Sequence, residues 1–134
     1  MKRSLLTLVA ALAAWGAAAQ AHHSISSVYD GSRQLTVEAV VTEFRFVSPH
    51  PFVIAEVTDR NGTARPWRFE MDNRWELADV GMTSSTFKRG DRIVVTGSVG
   101  RTQPTHLYIR RLERPADGFI YEQLGTRPRV GRRP

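Results

Sequence analysis

The chain has no cysteine among its 134 residues. That absence excludes disulfide cross-links, thiolate nucleophiles, iron–sulfur ligation, thiol-rich zinc sites and a lipid-anchoring cysteine. There is one apolar run, Leu5 to Trp15, which falls short of the roughly 20 residues a membrane-spanning helix needs. Catalytic signatures are missing too: there is no Gly-x-Ser-x-Gly elbow, no phosphate-binding glycine loop and no His-Glu-x-x-His. Ser24 and Ser26 lie near histidines without an orienting acid, so a hydrolase is unsupported. What remains is a non-enzymatic chain that must hold itself together by burial alone.

Acidic residues are scarce at the carboxyl end. The formal net charge is +6, from 19 Lys+Arg against 13 Asp+Glu. Arg114, Arg127, Arg129, Arg132 and Arg133 face only Asp117 and Glu122, whereas the segment from His22 to Glu113 is close to neutral. The basic character is therefore a tail and not a face, which argues against nucleic acid as a partner. The tail segment Arg127–Arg133 would at most touch an anionic surface through simple charge attraction.

At the amino end, Lys2 and Arg3 precede the apolar run, and Ala19-Gln20-Ala21 has the small-x-small pattern of a cleaved secretory signal. The expected arrangement is a signal peptide over 1–21, an arm over 22–33, one domain over 34–124 and a basic disordered tail over 125–134. The expected location is periplasmic or secreted. Cutting after Ala21 exposes His22-His23-Ser24; cutting after Ala19, which Ala17-x-Ala19 also permits, leaves histidine third. Either product carries an α-amine close to imidazoles, a donor set suited to copper.

Between arm and tail the pattern is one of strands. Leu35, Val37, Ala39 and Val41 alternate with Thr36, Glu38, Val40 and Thr42, and Phe44 and Phe46 then switch parity, which predicts a bulge. Ser48-Pro49-His50-Pro51 breaks the strand; Asp59-Arg60-Asn61-Gly62 predicts a hairpin turn with positive φ at Asn61 and Gly62. Trp67, Phe69 and Met71 share one face of a third strand, and with Phe52 they read as core. Asn73 and Glu76 have capping-box spacing, predicting a helix over 74–80 that ends at Gly81. Strands follow around Ile93–Val99 and Leu107–Leu112. The expected fold is mainly β: a small five-stranded OB-like barrel with one short helix between strands 3 and 4, or alternatively an open sandwich. Phe119 and Tyr121 are expected to dock on it.

The segments Ala21-His22-His23-Ser24, Tyr29-Asp30, Ser48-Pro49-His50, Trp67-Arg68-Phe69-Glu70 and Lys88-Arg89-Gly90-Asp91 together resemble one exported bacterial family, domain of unknown function 6152. The resemblance covers roughly His22 to Tyr121 and implies an OB-like barrel and an exported location, with no settled activity. The chain departs from that family at Ser48, where members usually carry Asn, and near Phe52, where they often carry Trp.

Two functional readings follow. In the first, His22, His23 and His50 bind copper, His50 being a rigid loop imidazole set between two prolines. Glu70 and Asp72 are weaker oxygen candidates, and His106 reads as a surface residue. In the second, the chain is a metal-free interaction module whose face of Phe44, Arg45, Phe46 and Tyr108 contacts a partner protein or an envelope polymer.

Overall fold

A computed structural model describes residues 25–133. A helical turn over 25–28, α1, leads into β1, Tyr29–Arg45. Then come β2 (Phe52–Thr58), β3 (Ala64–Glu70), the helix α2 (Arg74–Asp79), β4 (Arg92–Gly100), β5 (His106–Arg114), β6 (Phe119–Glu122) and β7 (Arg129–Arg132). The sheet order is β3-β2-β1-β4-β5-β6-β7, and every neighbouring pair is antiparallel. In addition β3 pairs with β5 in parallel, so the hydrogen-bonding path β1–β2–β3–β5–β4 returns to β1.

The parity switch in β1 has the cause the spacing predicts. Ala39 and Val41 are buried, the register slips between Val41 and Glu43, and the inward side passes to Phe44 and Phe46. The α2 helix also starts where its capping pattern puts it, with the Asn73 side chain accepting from the Glu76 N–H at 3.0 Å. Gly81 takes φ 88° after its last turn.

Several expectations need correction. Seven strands form instead of five. Phe119–Glu122 adds to β5 as a strand in its own right, and Arg129–Arg132, expected to be disordered, pairs with it as β7. The local Arg and Pro composition carries no hydrophobic period, but the edge of β6 offers unpaired backbone groups that this segment fills. The first strand begins at Tyr29, inside the expected arm, and Leu35 is exposed. At the β2–β3 hairpin only Gly62 has positive φ; Asn61 does not. There the Asp59 carboxylate accepts from the N–H groups of Asn61 and Thr63, both at 2.9 Å, which stabilises a three-residue loop. Phe52 is not core. It lies on the opposite face from buried Val53 and Ala55, beneath the Arg68 guanidinium, 3.7 Å from the ring centre. Trp67 is half-buried and packs on fully buried Phe69.

The core lies between the inward faces of β1 to β6, with Phe69, Met71, Leu77, Leu107, Ile109, Leu112 and Tyr121 completely buried. Among the described residues no helix is long and apolar enough to cross a membrane.

Candidate functional site

A cavity of about 460 Å³ opens where the start of β1, the β1–β2 loop, the start of α2 and the β4–β5 loop converge. Three local devices shape it. First, the His50 loop is tied down on both sides: Met71 N–H donates to the Pro51 carbonyl at 2.9 Å and Arg74 N–H to the Pro49 carbonyl at 3.1 Å. Second, Gly97 lets β4 approach β5 closely, since a Cβ there would stand 2.6 Å from the Tyr108 carbonyl oxygen. Third, Tyr29 packs on Tyr108 at 5.7 Å between ring centres and donates its hydroxyl to Glu70 at 2.6 Å.

His50 is half-buried, and its Nδ1 lies 3.0 Å from the Met71 carbonyl oxygen. A carbonyl can only accept, so Nδ1 carries the proton and Nε2 of the neutral ring keeps a lone pair. This is the tautomer in which a backbone carbonyl orients a metal-binding imidazole. His22 and His23 lie outside the described residues, so their part of the expected metal set has no placement here. Among the described residues no group of three or more His, Asp and Glu is disposed to hold a metal.

Asp72 and Glu76 sit on the same cavity wall as His50. One Asp72 oxygen accepts from Asn73 N–H at 2.7 Å, so Asp72 braces the cap and Asn73 provides it. The Glu76 carboxyl titrates above its usual range, first because burial penalises its charge and then because the Asp72 carboxylate lies beside it. Glu70, expected to face solvent, is half-buried and engaged by Tyr29. His106 opens β5 opposite Arg68 and is half-buried; burial, then the Arg68 charge, lowers its titration.

The expected aromatic face divides. Phe44 packs edge-on against Phe87 at 5.1 Å and 5.9 Å from Phe46, toward the core. Arg45 is exposed, paired with Glu43 at 2.7 Å. Tyr108 belongs to the cavity instead: it is buried, with Arg110 5.1 Å over its ring. The parity of β5 put Tyr108 and Arg110 on one face, two residues apart, and that signal was legible without coordinates. Arg101 and Tyr29 had no such signal, since their meeting depends on the β1–β4 pairing. Within the tail, Arg133 meets Glu113 at 3.1 Å and Arg132 lies 3.9 Å from Asp117, so two of its cations already face acids of the domain.

A family model covers residues 10–107, nearly three-quarters of the chain. The chain belongs to the family of unknown function DUF6152. The match takes in His22, His23, His50, Asp72 and Glu76, and stops one residue before Tyr108, so Tyr108, Arg110 and Gln123 on the cavity wall lie beyond it. The expected extent, to Tyr121, was longer. A search of curated proteins found no match.

Proposed function

We propose that the protein is exported, that signal cleavage exposes the amino-terminal histidines, and that His22, His23 and His50 together bind copper for carriage or sequestration. The observation that carries this reading is that Ile25 and Ser26 line the same cavity as His50. His22 is three residues before Ile25, and an extended chain covers about 10 Å over that separation. An α-amine and imidazoles delivered to that rim meet a ring whose neutral tautomer, set by the Met71 carbonyl, leaves Nε2 as the donor atom for a metal. Amine and imidazole nitrogen favour copper over calcium or magnesium, and the Irving–Williams order puts copper first among the divalent metals.

The fold reading that accompanies it is an OB-like barrel: the pairing circuit β1–β2–β3–β5–β4, with a helix between β3 and β4, has the OB order. In that fold the β1–β2 and β4–β5 loops border the ligand site, and here those loops contribute His50 and Arg101 to the cavity. The test is calorimetric titration of Cu(II) into processed protein whose first residue has been fixed by intact mass. His50→Ala binding as tightly as wild type would remove the loop histidine from the site.

A second reading keeps the metal-free interaction module with an envelope polymer or protein, on a shifted face. Trp75 is 70% exposed, and the Arg74 guanidinium lies 5.3 Å from it and 5.1 Å from Phe46. An exposed Trp beside Arg is the pairing that binding hot spots favour. Sedimentation with isolated cell-wall polymer that is lost in Trp75→Ala and indifferent to chelator would favour it over copper.

A further inference from the structure

The cavity offers groups that the protein leaves unused, and they do not all suit a metal. Tyr108 is only 4% exposed, yet its hydroxyl has no hydrogen-bond partner among the described residues. Among the described residues no buried side-chain oxygen is sealed without a partner, so this hydroxyl opens onto the cavity that its ring lines. Burial first, and then the Asp72 carboxylate, push the phenol far above its ordinary titration, so it stays protonated and acts as a donor. Asp72 and Glu76 line the same cavity, two carboxyls close enough to oppose each other's ionisation. One cavity thus holds a donor and two carboxyl acceptors, with Arg110 also in its wall. The space of about 460 Å³ far exceeds a bare ion; a water takes roughly 30 Å³ of liquid volume.

We propose that this cavity binds a small molecule bearing a primary amine next to a hydrogen-bond acceptor, of the amino-acid or amino-alcohol class. Its ammonium lies against Asp72 and Glu76 and its acceptor takes the Tyr108 hydroxyl. An ammonium satisfies both carboxyls with charge-assisted hydrogen bonds, and it removes the mutual repulsion that an empty pair suffers. A carboxylate acceptor gains Arg110 as well, whose Nε is held by Ser98 at 3.2 Å and whose plane is set over the Tyr108 ring. The binding needs no metal and uses other residues of the same cavity than the copper reading does.

The experiment uses processed full-length protein stripped with EDTA and kept in EDTA, so copper chemistry cannot contribute. Thermal shift and calorimetry are run with glycine, ethanolamine and acetate at millimolar concentrations. Glycine and ethanolamine raise the melting temperature and bind, while acetate does neither. The double variant Asp72→Asn/Glu76→Gln, which keeps oxygen acceptors for the local backbone bonds, loses affinity for both amines by about tenfold or more. Tyr108→Phe weakens them by about threefold to tenfold with an unchanged melting temperature of the free protein. Acetate binding as well as glycine would make this an anion site on Arg110 and overturn the proposal, as would silence from both amines. Loss of Cu(II) binding in His50→Ala with amine binding intact separates the two sites.

Discussion

The two ends of the β4–β5 ladder are built from the same kinds of residue and finished in opposite ways. At the end where β4 starts and β5 stops, Phe87 stacks edge-on between Phe44 at 5.1 Å and Phe119 at 5.4 Å. Arg114 closes it, lying 5.5 Å and 5.2 Å from the Phe87 and Phe119 rings while bonding the Asp91 carboxylate, the Asp117 carboxylate and the Thr86 carbonyl. The Arg114 charge and the two acids it touches, Asp91 and Asp117, are answered within the protein. At the other end, aromatics, arginines and acids meet again as Tyr29, Tyr108, Arg101, Arg110, Asp72 and Glu76, but they surround a cavity. Tyr108 keeps a donor and His50 an acceptor that no described residue uses. The closed end stabilises the fold and the open end keeps groups that no described residue uses, and the difference lies in what is satisfied, not in composition.

Mutations sharpen that contrast. The largest effect belongs to the closed end: Phe87→Ala removes the ring between two others and costs about 3–4 kcal/mol, measured by urea unfolding. Arg114→Ala follows at about 2 kcal/mol, because two acids and a carbonyl lose their common donor. At the open end His50→Ala costs about 1 kcal/mol through its bond to Met71, and the proposed copper site predicts a more than tenfold loss of Cu(II) binding. Tyr108→Phe changes stability by less than about 0.5 kcal/mol, since the hydroxyl it deletes bonds none of the described residues. If instead Tyr108→Phe destabilised as much as Arg114→Ala, the two ends would not differ in the way described.

Acid adds a pH test confined to the closed end. The Arg114 hydrogen bond, followed by the Phe119 N–H and the charges of Arg114 and Arg132, lowers the Asp117 carboxyl to about 2. Its value in the unfolded chain is about 3.9. A folded value below the unfolded one means that the stabilisation is fully present above about pH 4 and is lost as pH falls through about 2. Wild-type melting temperature therefore declines across that window, and Asp117→Asn shows a flatter profile there. An identical decline in both would show that Arg114 holds the closed end without Asp117.

How much was readable beforehand follows the range of each interaction. The bulge in β1 was visible because inward-facing residues change parity at Phe44, a pattern confined to a few neighbours. The α2 start was visible because Asn73 and Glu76 speak to each other across one turn. The ends of the sheet were not: β7 carries no period of its own and exists because β6 presents an edge. Phe52 read as core from its strand spacing, and only the pairing with β3 set it outside under Arg68. Tyr108 was grouped with Phe44 and Phe46 by being aromatic, whereas the β4–β5 register gave it to the cavity.

The sequence by itself determined the five central strands, the helix cap, the turn positions, the absence of thiol chemistry and a stiff histidine between two prolines, because each depends on residues within one or two turns of one another. Only the tertiary structure decided that Tyr29, His50, Asp72 and Tyr108 share one cavity, because their meeting is set by strand registers spanning nearly eighty residues, and no local pattern encodes which edge closes on which.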